Sequence, residues 1–125
     1  MSSILVVDDD AQVLELMSQM LRLEGHSVTA AHNGIEAEDK FEKDHFDLVI
    51  TDLIMPEREG LETITRLRQA TAALPIIAIS GGGRIGAQDY LESAAQLGAN
   101  ATITKPFNRT DLVATVSELL ATSGG

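Results

Sequence analysis

Five short apolar runs punctuate the chain: ILVV at residues 4–7, SVTAA at 27–31, DLVIT at 47–51, PIIAI at 75–79 and NATIT at 100–104. Three of them are apolar almost throughout, as strands are when helices cover both faces of a parallel sheet. Between the runs the period becomes helical. Val13, Met17, Met20 and Leu21 share one stripe, as do Leu61, Ile64 and Leu67, and then Leu112, Val113, Val116, Leu119 and Leu120. Gly25 and Gly98 stand where C′ residues would end the first and fourth helical patterns, and Asn33 and Asn108 where N-caps would open the second and fifth. The pattern predicts (βα)5, a doubly wound α/β domain whose five-stranded parallel sheet carries helices on both faces through right-handed crossovers. Ligands of such sheets bind outside the carboxyl ends of the strands.

Length and composition narrow the reading. With 125 residues, no repeat and no internal linker, residues 1–125 are expected to form one domain with a core over about 3–121. Only the TSGG ending looks loose, and no output domain is expected after Leu120. No apolar run is long enough to cross a bilayer, and three aspartates interrupt the first run where a signal peptide would continue, so a cytoplasmic protein is expected. The absence of cysteine excludes disulfides, thiolate metal sites and thiol nucleophiles. Nine Lys and Arg against 19 Asp and Glu give a net charge of −10, which repels phosphate backbones and anionic membranes; direct nucleic-acid or membrane binding is not expected.

What stands at the carboxyl ends carries the chemistry. Asp8, Asp9 and Asp10 follow the first run, Asp52 the third, Ser80 the fourth and Lys105 the fifth. Carboxylates converging on one rim repel each other unless a cation neutralises them or a proton stays bound. An all-oxygen set without sulfur or histidine suits a hard cation, Mg²⁺ or Mn²⁺. Asp10, immediately before AQVLELM, reads as a helix N-cap. His26, His32 and His45 lie in polar surroundings at element boundaries and read as solvated surface residues. Gly81, Gly83 and Gly86 fit G-x-G-x-x-G, but a dinucleotide fingerprint follows the first strand of its unit and has an acid about 20 residues on. Here that distance falls at NATITK, so the glycines read as a flexible loop after the fourth strand.

The segments ILVVDDD, DLVITDLIMPEREG, PIIAIS and ATITKPF together resemble the receiver domain of two-component response regulators, over essentially the whole chain. The resemblance implies the fold of the chemotaxis response regulator, with flavodoxin-like strand order 2-1-3-4-5. It implies Asp52 as phosphoacceptor, Asp9 as a direct Mg²⁺ ligand, Asp8 as a ligand acting largely through water, and the Ile54 backbone carbonyl as a further ligand. Ser80 matches the switch hydroxyl, Lys105 the lysine that contacts the phosphoryl group, and Lys105–Pro106 a cis peptide. The implied partners are a sensor histidine kinase or histidine phosphotransfer protein and an unnamed downstream protein, which would dock on the surface of the fourth helical pattern, fifth strand and fifth helical pattern. No enzymatic activity is implied beyond the chain's own phosphoryl transfer and dephosphorylation. The chain departs from the family at Thr102, where Tyr or Phe is common, and in a longer, glycine-rich segment after Ser80. The switch region is accordingly read as Ser80, Gly81, Gly82, Gly83 and Thr102, with loop order standing in for ring position. Tyr90 reads as a helix-packing residue. A Mg²⁺-dependent aspartate-nucleophile phosphohydrolase is disfavoured because Ile54 stands where its second aspartate would be, and a dinucleotide-binding module because the ribose acid is missing.

Overall fold

The structure, a computed structural model, describes residues 2–53, 60–71, 73–81, 95–96, 98–105 and 107–123. Its elements are β1 (Ser3–Val7), α1 (Ala11–Leu23), β2 (Ser27–Ala31), α2 (Gly34–Lys43), β3 (Leu48–Asp52), α3 (Gly60–Ala70), β4 (Ile76–Gly81), β5 (Ala101–Lys105) and the C-terminal helix α4 (Arg109–Ser123). The five strands form one parallel sheet in the order β2-β1-β3-β4-β5, as expected. Most of the fourth helical pattern lies outside the described residues, as do Ile54, Gly82, Gly83, Tyr90 and Pro106.

Alternation along the strands divides the core into two layers. Leu5, Val7, Val49, Ile76 and Ala78 pack with Ala37 of α2 and with Ile64 and Leu67 of α3. Ile4, Val6, Leu48, Ile50, Ile77 and Ile79 pack with Leu14, Met17 and Leu21 of α1 and with Leu112 and Val116 of α4. Strands β1 and β3 are buried nearly end to end, and the edge strands β2 and β5 only in part. That is why three runs read as continuous and two as mixed.

The strand ends differ from the sequence expectation by one or two residues. Asp52 and Lys105 are the last residues of β3 and β5 rather than the first beyond them, and both Ser80 and Gly81 belong to β4. Backbone pairing sets these limits: Asp52 pairs with Ile79, Ser80 with Thr104 and Gly81 with Lys105, whatever the polarity of the side chains. Asp47, Pro75 and Asn100, read as strand residues, lie just before β3, β4 and β5. Asp47 there accepts a bond from Ser3 N at 2.8 Å, and proline has no N–H for a ladder.

The caps follow the sequence. Asp10 Oδ1 accepts from Gln12 N at 2.9 Å and Val13 N at 3.3 Å, Asn33 Oδ1 from Glu36 N at 2.8 Å, and Asn108 Oδ1 from Asp111 N at 2.8 Å. Gly25 and Gly98 have φ of +90° and +122°, the left-handed region that lets a chain leave a helix end. No helix among the described residues is long and apolar enough to cross a membrane.

Candidate functional site

Strand parity aims the rim residues. Counting by twos from Ile4 and Val6 reaches Asp8, from Leu48 and Ile50 reaches Asp52, and from Ala101 and Ile103 reaches Lys105, so all three emerge on the α1/α4 face of the sheet. Asp8 is fully buried. Its N–H donates to Ala31 O at 3.1 Å, its Oδ1 accepts from Asp10 N at 2.9 Å, and its Oδ2 accepts from Lys105 Nζ at 2.9 Å. Asp52 is 7% exposed, and its Oδ1 lies 3.5 Å from the same ammonium. Asp9 is exposed at the mouth. Asp8, Asp9 and Asp52 each offer a carboxylate oxygen, all within 4.8 Å of one another.

Burial first, and then the neighbouring charge of Asp8, push the Asp52 carboxyl up from 3.8 to about 6; Lys105 opposes them and Asp9 adds to them. Burial also pulls the Lys105 ammonium down, but its hydrogen bond to Asp8 and the charges of Asp52 and Asp8 outweigh that effect and hold it above its ordinary value. Lys105 is therefore a cation at neutral pH, set against three acids. The deficit of positive charge and the all-oxygen donor set fit a hard divalent cation.

Ser80 is 1% exposed, and its Oγ has no hydrogen-bond partner among the described residues. Its parity in β4 turns it to the α2/α3 face with Ala78, away from the carboxylates. Thr102, paired with Ala78 in the ladder, is exposed on the edge strand. The remaining residues expected at the site, Ile54, Gly82 and Gly83, and the Lys105–Pro106 peptide lie outside the described residues. His45 is 87% exposed near Asp47, and His32 is exposed 3.4 Å from Glu36. His26 departs from the expectation. It is half-buried, and its Nδ1 is buried with no partner among the described residues, because its backbone N–H closes onto Leu21 O at 3.2 Å and holds it in the junction of α1 and β2.

The direct Lys105–Asp8 bond was missed from the sequence, although the alternation of β1 and β5 already places both side chains on one face. A cavity of about 680 Å³, lined among others by Phe41, Asp44, Phe46, Pro75 and Leu120, opens at the amino ends of the strands. It shares no residue with the acidic cluster.

Residues 4–117 match the response regulator receiver domain family. The chain is 37% identical over 123 residues to the transcriptional regulatory protein CpxR homolog of Haemophilus influenzae, and 36% identical over 123 residues to CpxR of Escherichia coli K12. These alignments cover 98% of this chain but 52% and 51% of the relatives, so the chain spans about half their length. Among solved structures, a putative response regulator from Chloroflexus aurantiacus matches with a TM-score of 0.89 at 34% identity, covering 96% of this chain and 98% of that one. A CheY-like receiver domain protein from Methanospirillum hungatei matches with a TM-score of 0.90 at 29% identity, covering 99% and 97%.

Proposed function

The chain belongs to the response regulator receiver domain family of two-component signalling, and from that membership we propose that Asp52 is its phosphoacceptor, charged by a sensor histidine kinase or a histidine phosphotransfer protein. The observation that carries the reading is a nearly buried carboxylate with a raised pKa, 3.5 Å from a lysine ammonium and within 4.8 Å of two further carboxylates.

Above about pH 6 Asp52 is ionised and nucleophilic. One of its oxygens attacks the phosphorus of a phosphohistidine; a P–O bond forms, the P–N bond breaks, and the leaving imidazole nitrogen takes up a proton. Asp9 and Asp52, with Asp8 through water and the Ile54 carbonyl, would hold Mg²⁺ or Mn²⁺, which supplies charge neutralisation for nucleophile and transferring group. Lys105, anchored on Asp8, presents a point charge to the phosphoryl oxygens. Ser80 supplies the switch. A buried hydroxyl that has no acceptor among the described residues carries a desolvation cost, and a phosphoryl oxygen on Asp52 offers the bond that removes it, so the phosphorylated state is favoured by that contact. Because strand parity turns Ser80 to the other face from Asp52, that bond requires the end of β4 to rearrange. Thr102 brings no ring to this rearrangement.

Residues 1–125 then act as one receiver domain in the cytoplasm, turning over no substrate but their own acyl phosphate. The readout is a downstream protein docked on the fourth helical pattern, β5 and α4. Relatives named as transcriptional regulators are about twice as long, and a charge of −10 gives this chain no electrostatic attraction to nucleic acid. Incubation with Mg²⁺ and acetyl phosphate tests the reading: intact-mass measurement is expected to show one added phosphoryl group, absent from Asp52→Asn. Full modification of the Asn variant would remove Asp52 from the role.

A further inference from the structure

At the amino end of the sheet, Arg68 of α3 lays its guanidinium across the entry to β5. Nε and Nη2 donate to Gly98 O at 3.0 and 2.8 Å, Nη2 also donates to Asn100 Oδ1 at 2.6 Å, and Nη1 donates to Thr71 O at 3.4 Å. Asn100 Oδ1 accepts a second bond, from Ile76 N at 2.8 Å, while Asn100 N donates to Ile76 O at 2.7 Å. One residue thus engages both backbone groups of Ile76, immediately before the first ladder pair, Ile77 with Ala101.

Strand β5 needs such a pin. It is an edge strand whose single neighbour is β4. Of its five side chains only Ile103 is buried; Thr102 and Thr104 are exposed and Ala101 is small. A strand so weakly marked by hydrophobic pattern is prone to slip, and a slip of one residue moves every side chain to the other face. Here that would turn Lys105 away from Asp8 and Asp52 and leave one of its chain neighbours, neither of them a cation, in its place.

We infer that Arg68 and Asn100 are positioning residues that fix the register of β5 on β4 and thereby hold the Lys105 ammonium at the acidic rim. The inference rests on the roles proposed above for Asp52 and Lys105. Gly98 belongs to the same device. Its φ of +122° disfavours any side chain, and a Cβ there would lie 2.8 Å from both Arg68 Cγ and Arg68 Nε, so the guanidinium reaches Gly98 O only over a glycine.

The experiment separates positioning from plain stability by two readouts on the same variants: the rate of phosphoryl uptake from acetyl phosphate with Mg²⁺, and Mg²⁺ affinity by titration without phosphodonor. Lys105 is not a metal ligand, and its ammonium competes with a cation for the charge of Asp8 and Asp52. Misplacing it therefore slows uptake while leaving Mg²⁺ affinity unchanged or tighter, as Lys105→Ala should also show. Arg68→Ala and Asn100→Leu are expected to slow uptake about tenfold or more, within the roughly hundredfold that a displacement near 1 Å at a reacting group can cost. Asn100→Asp, which keeps an acceptor for Ile76 N and Arg68, is expected to restore it. Arg68→Met, which keeps the aliphatic stem without the donors, replaces the alanine variant under the same criteria if that one does not fold. Uptake within about twofold of the parent in the Arg68 and Asn100→Leu variants, or a parallel loss of uptake and Mg²⁺ binding, would overturn the inference. A parent protein whose Asp52→Asn variant still takes up phosphate would instead overturn the function on which the inference rests.

Discussion

Asp52 sits where its own charge is unwelcome, and that makes its titration a stability measurement. An acid whose folded pKa of about 6 exceeds its unfolded value near 3.8 binds its proton more tightly when folded. Its stabilising contribution is complete below the unfolded value and is lost as pH rises through the folded one. With metal removed by chelator, urea denaturation is expected to show about 1–1.5 kcal/mol lost between roughly pH 5 and pH 7.5 through this group. Asp52→Asn should remove that part of the slope and be the more stable protein at the higher pH; an unchanged slope would refute the assignment. Ser80 makes the complementary case. Removing a buried hydroxyl that has no partner among the described residues costs little, so Ser80→Ala should match or exceed the parent in stability by up to about 1 kcal/mol and still accept phosphate on Asp52. What it should lose is the response. Amide exchange across residues 80–87, compared with and without a beryllofluoride phosphoryl mimic, is expected to change in the parent and stay flat in the alanine variant.

At the scale of elements, the cap seen at Asp10 and the metal ligation proposed for its neighbour Asp9 can be separated. Asp10 Oδ1 caps α1 through Gln12 N and Val13 N, while its backbone N–H, which an alanine retains, supports Asp8. Asp10→Ala should therefore cost about 1 kcal/mol of stability with little change in Mg²⁺ affinity. Asp9→Ala should weaken Mg²⁺ binding by at least tenfold at nearly unchanged stability, and equal metal losses in the two variants would refute the division. Caps were legible in the sequence because they are local: a side chain answers N–H groups two or three residues on. Strand ends were less so, since Ser80, Gly81 and Lys105 look like loop residues yet keep their ladder partners on β4 and β5. The stripe of α1 holds but is wider than the sequence reading, with Val13 and Met20 packed half-buried against the core beside Met17 and Leu21. What the sequence reading left out are Leu14 and Ser18, both buried, Ser18 with its Oγ donating to Leu14 O at 2.7 Å, while hydrophobic Leu16 stays 49% exposed.

For the whole molecule, the alternation of strands and helices was enough to bring residues 8, 52 and 105 to one rim, because a parallel sheet carries all its carboxyl ends to the same side. The pin of Arg68 on Gly98 and Asn100 was not legible, since it joins residues 30 and 32 positions apart by a long side chain that no periodicity marks. The same global view gives a test that separates a specific cation site from the general effect of salt on a chain of charge −10. Screening relieves dispersed repulsion and depends on ionic strength alone. A bound divalent ion stabilises by its affinity for the folded state, about 2.7 kcal/mol at a hundredfold excess over its dissociation constant. Protons compete with it at Asp52, whose pKa of about 6 places the crossover between mildly acidic and neutral solution. Mg²⁺ should therefore raise the melting temperature above that in NaCl of equal ionic strength, by clearly more near pH 7.5 than near pH 5, and Asp52→Asn should shrink the difference at both. Equal shifts in the two salts at neutral pH would mean that the carboxylates respond only as part of a diffuse negative surface, and would remove the metal from the site.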